Sequence, residues 1–296
     1  MIVHDIPEGV PAMKLERYLR RAWPLLPGRV LRVLDKRKDV RVNDVKSDGS
    51  ALVRGGDRLN IYAEDTWFSM PPDILWTDDR LIVAVKPQGL PVDVDQDGVG
   101  ADTLLTRLQR RWPSARLCHR LDAATGGIVL AAADDEVYEQ AFEAFKNHGV
   151  QKQYHALALG HFEQTKGTLR AWLQKDACRA EVRILHQPRG NAKPIETRYN
   201  VGEEAAPGVT HVWLEPVTGR THQLRAHMAD FGHPFLGDDK YGDRAANRQF
   251  ARLPLCLWHE RLIVPKDSPL IDYCGRAFEC PAPDWMGMGK EDRLSL

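Results

Sequence analysis

One acidic side chain stands out in the sequence by its surroundings. Asp122 lies in the run CHRLDAATGGIVL, directly after His119, Arg120 and Leu121 and ahead of a small, turn-prone stretch. A carboxylate between a short apolar element and a glycine-rich turn can be held rigidly and directed into a cleft, as a nucleophile requires. The same position also suits a carboxylate that only caps the turn. Spacing alone leaves both roles open.

The run TGRTHQLRAH, further along the chain, predicts a short helix. Thr221 is placed to cap the N-terminus of this helix, and Gly232 is a typical stop beyond its C-terminal end. The apolar side chains that would face inward recur at helical spacing and are Leu224, Met228 and Phe231. The polar residues of the run would then lie close to the start of a packed helix.

Two arginines accompany this helix and offer a partner for the acid. Arg220 precedes the helix and Arg225 lies within it. A guanidinium presents a planar fork that suits a carboxylate or a phosphate. If Arg225 contacts Asp122, its charge lowers the pKa of that carboxyl and keeps it ionised in a partly dry cleft. The alternative is an ordinary surface ion pair, worth about 0–1 kcal/mol.

Histidines near this helix raise the question of a metal site. His222, His227 and His233 do not follow the HExxH spacing, and Cys274 and Cys280 are too far apart for a CxxC pair. We therefore expect no metal, while a zinc-dependent hydrolase that uses the histidines stays an alternative. The sequence contains no GxGxxG, Walker or GxSxG motif, which argues against dinucleotide binding, P-loop nucleotide binding and serine hydrolase chemistry.

Tyr154 lies in a predicted strand that is otherwise small and apolar. Alternation places its side chain on the same face as that of Ala156. Buried aromatic residues most often serve the core of a protein. In a cleft that receives a nucleobase, the same ring would instead supply a stacking face.

The composition is that of a globular protein. The chain has 296 residues, enough for one large domain or two unequal ones, with 43% hydrophobic and 28% charged residues. We expect no membrane association and no secretory signal, because the sequence shows neither a long apolar run nor a basic start followed by an apolar core. Five cysteines at irregular spacing favour the reducing cytoplasm.

Positive charge is concentrated near the N-terminus, although basic and acidic residues balance at 41 each. Ten basic and three acidic residues lie between Lys14 and Arg41. This segment predicts helices at 13–23 and 30–37, and local clustering suits phosphate contacts. We expect such contacts from Arg17, Arg20 and Arg21. A plain solvated basic surface is the alternative.

The order of elements predicts an α+β fold with a mostly antiparallel sheet. We expect a small basic domain at 13–62, a linker at 63–73 and a larger domain at 74–290. The larger domain combines several strands with a helix at 134–148. The inward-facing side chains predicted for the helices at 30–37 and 134–148 are Val30, Leu31, Val33 and Leu34, and Val137, Ala141, Phe142 and Phe145.

Four blocks of sequence resemble the RluA-type RNA pseudouridine synthases. They are KPQGLPV, HRLDAATGG, KQYHAL and GRTHQLRAHMADFGHPFLGD, and their order and spacing fit the family. The resemblance covers about residues 74–265. The unit at 13–62 looks like a small RNA-binding domain first described in a small-subunit ribosomal protein. The implied fold is pseudouridine-synthase-like, with a mixed, mostly antiparallel sheet flanked by helices and a small N-terminal α/β domain.

The resemblance implies roles for individual residues. Asp122 corresponds to the catalytic aspartate, Tyr154 to the tyrosine that contacts the target base, and Arg225 to the basic residue paired with the aspartate. Arg120 corresponds to an arginine that fills the space left by the extruded nucleotide. Leu121, Ile128 and Leu224 are expected as pocket walls. The remaining residues expected to bind substrate are His119, Thr125, Arg220 and Lys86, together with Arg17, Arg20 and Arg21.

The implied activity is the isomerisation of specific uridines in structured RNA to pseudouridine, without a metal or an organic cofactor. Large-subunit rRNA is the expected substrate and tRNA the alternative, and no membrane or obligate protein partner is implied. The aspartate could attack the base, attack the sugar or remove a sugar proton. A non-catalytic RNA-binding or ribosome-assembly factor is the rival hypothesis.

Two positions depart from the family pattern. Gly126 stands where the family usually has serine, and we expect it to loosen the turn after Asp122 without abolishing activity. Asp93 stands where relatives often carry histidine, which would alter the rim of the cleft.

Overall fold

The computed structural model describes residues 1–68, 70–176, 181–250, 253–280 and 283. In this part of the chain, no helix has both the length and the apolar character needed to cross a membrane. The helices are α1 (Leu15–Ala22), α2 (Gly28–Arg37), α3 (Leu104–Gln109), α4 (Asp135–Lys146), α5 (Gln223–Asp230) and α6 (Arg244–Gln249), with 3₁₀ turns at Asp65–Trp67 and Ile271–Tyr273.

The strands include two long antiparallel partners near the middle of the chain. In chain order the strands are β1 (Ile2–Asp5), β2 (Met13–Lys14), β3 (Val40–Val42), β4 (Val45–Ser47), β5 (Leu52–Val53), β6 (Arg58–Ile61), β7 (Asp73–Thr77), β8 (Leu81–Lys86), β9 (Arg116–Leu117), β10 (Gly126–Ala132), β11 (Gln151–Leu159), β12 (Lys166–Asp176), β13 (Glu181–Leu185), β14 (Lys193–Ala206), β15 (Val209–Pro216), β16 (Leu257–Ile263) and β17 (Ala277–Glu279). β12 and β14 are the long pair.

The chain forms two compact units whose boundaries differ from the predicted ones. The first unit comprises Met1–Asp73 and Gly89–Leu117, and the second comprises Ile74–Gln88 and the described residues from Cys118 onward. The segment predicted as a linker belongs to the first unit, because Phe68 is buried in its core with its ring 5.2 Å from that of Trp23. Residues 89–117 join the same unit, where the amide of Asp102 donates to the carbonyl of Ala22.

The first unit has a four-stranded sheet in the order β1-β6-β3-β4, covered by α1 and α2. The apolar stripe predicted for α1 is buried as expected and consists of Leu15, Tyr18, Leu19 and Ala22. On α2 the prediction is wrong for Val33, which is 46% exposed. The buried residues Leu31 and Leu34 lie one turn apart, so the 100° step per residue turns Val33 toward the far side of the helix.

The second unit has one large sheet with the strand order β13-β12-β14-β15-β11-β16-β10-β8-β7, and β17 pairs with β16. From β13 to β8, and between β16 and β17, the pairs are antiparallel except for a short parallel contact between β10 and β16. The mostly antiparallel α+β class is therefore confirmed.

Helix α4 packs on β10 through a stripe that differs in part from the prediction. Asp134 caps the helix by accepting a hydrogen bond from the amide of Val137. Val137 and Ala141 are buried as expected, and Ala144 completes the stripe. Phe142 is 48% exposed, because the helical step after Ala141 turns it away from the core.

Helix α5 packs against β12 to β15, with Leu224 and Met228 buried. The residue before the helix is His222, in the left-handed conformation with φ 54°, and it makes no side-chain cap. The predicted cap by Thr221 is therefore wrong. Oε1 of Gln223 instead accepts a hydrogen bond from the backbone amide of Arg220, and this contact folds the loop back onto the first turn. Phe231 lies past the helix end and is exposed.

Candidate active site

Asp122 lies in the turn that leads into β10, and its side chain is 22% exposed. Its carbonyl accepts a hydrogen bond from the amide of Thr125, 3.0 Å away, which closes the turn. Its carboxylate lies 3.5 Å from Nη1 of Arg225 and 3.8 Å from Nε2 of His222. The predicted pairing of the acid with Arg225 is therefore present, and the carboxylate keeps access to solvent.

Arg225 is held chiefly by a second acid, Asp238, which was not among the residues predicted for the site. Nε and Nη2 of the guanidinium each donate to one oxygen of Asp238, both at 2.8 Å, and both side chains are buried. Burial opposes the charge of Asp238, but the hydrogen bonds from Arg225 outweigh it and its pKa is lowered. The acid after glycine in the GDDKYG run was the available signal.

His222 and Tyr241 complete the polar side of the site. Nδ1 of His222 lies 2.8 Å from the hydroxyl of Tyr241. Burial lowers the pKa of His222, and the charge of Asp122 opposes this shift. The imidazole is therefore neutral near pH 7. The ring of Tyr241 lies 5.3 Å from the guanidinium carbon of Arg225, so one aromatic side chain contacts both His222 and Arg225, the two neighbours of Asp122.

Tyr154 lies on β11 and is buried, with its ring stacked on His259 at a centroid distance of 4.5 Å. Burial chiefly, and the nearby charge of Asp122, raise the pKa of Tyr154, so the phenol stays protonated. The register between β11 and β16 shifts next to Tyr154, and such bulges re-aim side chains. Tyr154 is thus both a core residue and a neighbour of the acid.

His259 packs against the ring face of this tyrosine. It is fully buried, and burial lowers its pKa to about 3, so the ring is neutral. Its Nδ1 lies 2.6 Å from the carbonyl of Ile128 and donates to it. This hydrogen bond fixes the tautomer and the orientation of the ring on which Tyr154 lies. Ile128 itself is fully buried, so the expectation that its side chain lines a pocket is wrong.

His119 belongs to the same buried ring cluster. Its Nε2 accepts a hydrogen bond from the amide of Leu130 at 3.0 Å. Its ring packs 4.7 Å from that of Phe145 and 5.8 Å from that of His259. Burial lowers the pKa of His119 well below its ordinary value. The structure thus gives His119 a place in the support of the site.

Lys86 and Gln88 hold the turn that carries Asp122. Nζ of Lys86 donates to the carbonyls of Pro87 and Ala123, each at 3.0 Å, and the amide of Gln88 donates to the carbonyl of Ala124. Lys86 is fully buried, and burial lowers its pKa to about 7 against the opposing charge of Asp122. Lys86 therefore lies beneath the turn, although its position in the sequence predicted contact with substrate.

The two glycines that follow this turn are tightly enclosed. A Cβ on Gly126 would lie 2.2 Å from the ring of Trp258, and a Cβ on Gly127, with φ 111°, would lie 2.2 Å from the carbonyl of His259. Nε1 of Trp258 donates to Sγ of Cys280 at 2.9 Å, which fixes the indole. The expectation that Gly126 loosens the turn is wrong, because Trp258 fills the space that a side chain would occupy.

The other predicted residues divide between the core, the surface and the first unit. Leu121, Thr125 and Leu224 are buried near the acid, whereas Arg120 and Arg220 are exposed. In the first unit, Arg17 is exposed, Arg20 pairs with Glu16, and Arg21 pairs with Asp95 and Asp97 at 2.6 and 2.7 Å. Asp93 also belongs to the first unit.

The histidines considered for zinc contact separate partners. His227 lies 3.1 Å from the hydroxyl of Thr197, and His233 lies against Phe162, whereas His222 contacts Tyr241. Across the described ranges, no group of three or more histidine, cysteine or acidic side chains is arranged to hold a metal.

Known proteins are similar in sequence to the part of the chain that forms this site. The family described as RNA pseudouridylate synthase matches residues 80–230. Ribosomal large subunit pseudouridine synthase C of Vibrio cholerae is 31% identical over 257 residues, covering 81% of this chain and 80% of that protein. Dual-specificity RNA pseudouridine synthase RluA of Escherichia coli is 36% identical over 183 residues, covering 62% of this chain and 82% of that protein.

Two human structures are also similar. Human RNA pseudouridylate synthase domain containing 4 gives a TM-score of 0.59 at 25% identity, covering 75% of this chain and 93% of that one. Human RNA pseudouridylate synthase domain containing 1 gives a TM-score of 0.58 at 29% identity, covering 72% and 83%. The family match spans the positions of Asp122, Tyr154 and Arg225.

Proposed function

We propose that Asp122 starts the isomerisation of uridine in this protein, because the chain belongs to the RNA pseudouridylate synthase family. The protein is an RNA pseudouridine synthase and acts on uridines in RNA. The observation that supports the role of Asp122 is its carboxylate, which is partly exposed 3.5 Å from a buried guanidinium.

The reaction breaks the glycosidic N–C bond, turns the freed uracil and forms a C–C bond to the same sugar. A carboxylate can start it by attacking the base, by attacking the sugar or by removing a sugar proton, and each route uses the ionised acid. Arg225 supplies a fixed positive charge at Asp122, because its bidentate contact with Asp238 orients the guanidinium before any substrate binds.

Tyr154 is proposed to lie against the target uracil. The base must leave its stack to reach the acid, at a cost of a few kcal/mol, and an aromatic face offsets part of that cost. The stack of Tyr154 on His259 holds the phenol ring in one orientation. Arg120, which is exposed, is proposed to fill the space that the extruded nucleotide leaves.

Large-subunit rRNA is the substrate that we propose, with tRNA as the alternative. Of the two bacterial relatives, the V. cholerae protein covers more of this chain, and its name refers to the large ribosomal subunit. The E. coli relative is named as a dual-specificity enzyme, which keeps a second RNA class open. The first unit is proposed to dock the RNA through basic side chains, as its sequence suggests.

We also propose a cytoplasmic location. Cys256, Cys274 and Cys280 are free thiols, which suits a reducing compartment. The substrates proposed here are found in the same compartment as the reducing systems that keep thiols free.

The decisive test is Asp122→Asn, which keeps the size of the side chain and removes its charge. We expect pseudouridine formation to fall at least about 10³-fold, as for loss of a nucleophile, while RNA binding is retained. Pseudouridine maps of total RNA from cells with and without the protein identify the sites, and purified enzyme with those transcripts gives the rate.

Asp267→Asn is the matched control, because Asp267 is an exposed acid of the same unit. It should leave the rate unchanged. Near-normal turnover by Asp122→Asn would show that another group starts the reaction.

A further inference from the structure

Lys152 is a cation of the second unit that the mechanism above does not use. It lies on β11, two residues before Tyr154, and its side chain is partly buried. Its Nζ lies 5.7 Å from the centre of the Phe145 ring, and 3.4 Å from the position that a Cβ on Gly219 would take. The ammonium is therefore enclosed between an aromatic ring and the loop that leads into α5.

The ammonium of Lys152 has no acidic partner in the described part of the chain. Burial lowers its pKa, and no carboxylate opposes the shift. The titratable groups nearby supply no negative charge, because His119 and His259 are neutral rings whose own pKa values Lys152 helps to lower. Lys86, in contrast, is satisfied by two carbonyls. An enclosed ammonium without such partners costs stability unless something else supplies the negative charge.

The surroundings indicate which ligand could supply that charge. Gly219 precedes Arg220, whose side chain is exposed and forms no ion pair in the described residues. The same loop leads to His222 and Arg225, which contact Asp122. One cation, Arg220, thus lies on the segment that leads to the neighbours of Asp122, and a second, Lys152, packs against this segment at Gly219 from β11. A uridine whose base lies against Tyr154 brings its own backbone phosphates to this region, because two residues along β11 span only about 7 Å.

We propose that Lys152, together with Arg220, forms a phosphate-binding subsite for the RNA backbone at the everted uridine. This subsite rests on the proposed function, because it takes its ligand from the same nucleotide. In the free enzyme the Lys152 ammonium is enclosed without a negative partner. In the complex it forms a charge-assisted hydrogen bond to a phosphate. Its stability cost in the free enzyme is then offset by substrate binding.

The test uses Lys152→Met, which keeps the aliphatic stem on Phe145 and removes the charge. Binding to in vitro transcribed large-subunit rRNA is measured by filter retention over a series of KCl concentrations. We expect affinity to fall about tenfold and the slope of log K against log[salt] to become shallower by about 0.7–0.9, the loss of one phosphate contact. KM should rise about tenfold while kcat changes less than about twofold.

Stability of the free protein distinguishes binding from packing. Removal of an enclosed, unpaired charge should leave the thermal unfolding temperature of Lys152→Met unchanged or raise it. Lys152→Arg should keep the salt slope, because it keeps the charge. Lys266→Met, at an exposed lysine of the same unit, should change neither slope nor stability. If Lys152→Met does not fold, Lys152→Gln makes the same comparison.

An unchanged salt slope in Lys152→Met would overturn the subsite. A second result would also overturn it: a lower unfolding temperature for Lys152→Met, together with a shallower salt slope in Lys152→Arg as well. That result would mean that Lys152 serves packing. Failure of the proposed function is a separate result, in which wild-type protein isomerises no uridine. The binding slopes are measured without turnover and still decide the subsite in that case.

Discussion

The guanidinium of Arg225 pairs with three carboxylates, those of Asp122, Asp238 and Asp239, and it holds them unequally. The carboxylate of Asp238 accepts hydrogen bonds from Nε and Nη2 at 2.8 Å, while the carboxylate of Asp122 lies 3.5 Å from Nη1. The stronger pair fixes the arginine, and the weaker contact leaves the lone pairs of Asp122 available to a substrate. A catalytic acid that was itself locked in a bidentate pair would have to break that pair before reacting.

Gly126 offers a prediction at the same scale. Gly126→Ser introduces the residue that the family resemblance led us to expect, yet its Cβ would lie 2.2 Å from the ring of Trp258. Overpacking of this kind costs about 1–3 kcal/mol, so the free energy of unfolding should fall by that amount in urea denaturation. Trp258→Leu in the same chain should restore part of the loss.

Gly9→Ser is the matched control, because a Cβ at Gly9 would meet nothing within 4 Å. It should leave the midpoint of unfolding in place. Equal midpoints for Gly126→Ser and the wild type would mean that Trp258 moves aside without cost.

The sequence allowed the acid and its arginine to be predicted, but not what holds them. Asp122 and Arg225 lie in runs whose residue types suggest chemistry before any fold is known. His259 contacts Tyr154 only because β16 pairs with β11, and no local pattern in LWHERL predicts that contact. Trp258 opposite Gly126 depends on the parallel register of two strands that are distant in sequence.

At the scale of elements, α2 has a better surface for RNA than α1. Arg20 and Arg21 on α1 carry acidic partners, so two of the three predicted phosphate contacts are already neutralised. Asp95 and Asp97, which pair with Arg21, come from the inserted segment that the local charge count omitted. The exposed face of α2 carries basic residues at helical spacing, namely Arg29, Arg32, Lys36 and Arg37.

This arrangement predicts which helix governs RNA binding. Replacing Arg32, Lys36 and Arg37 together with alanine should reduce the salt slope of RNA binding by about 2–3, at up to 0.9 for each phosphate contact. Arg20→Ala should change the slope far less, because Glu16 already neutralises Arg20. Filter retention with the same rRNA measures both variants. A larger effect from Arg20→Ala would return the docking surface to α1.

The helices also show where periodicity succeeds and where it does not. On α1 the pattern fixed the buried stripe, because every apolar side chain in it falls on one face. On α2 and α4, Val33 and Phe142 are apolar but lie beyond the arc that contacts the core. Hydrophobicity indicates which residues can be buried, and the packing of the neighbouring elements decides which ones are.

At the scale of the whole molecule, burial lowers the pKa of several histidines of the second unit, and the shift is largest for four of them. Burial lowers the pKa of His155 and of His227 to about 4 and that of His259 to about 3, and it lowers the pKa of His119 well below its ordinary value. A histidine whose folded pKa is depressed contributes stability above its unfolded value of about 6.5. That stability is lost as the pH falls toward the folded pKa, because the unfolded chain binds the proton first.

The second unit should therefore lose stability as the pH falls from about 6.5 to about 4. Each histidine can remove up to about 1.4 kcal/mol per pH unit in that window, so several kcal/mol are lost by pH 5. Thermal unfolding at half-unit steps of pH measures the slope. His227→Gln should flatten it, and His161→Gln, at an exposed histidine, should not. A stability that stays constant from pH 7 to pH 5 would show that the folded protein accepts these protons without loss.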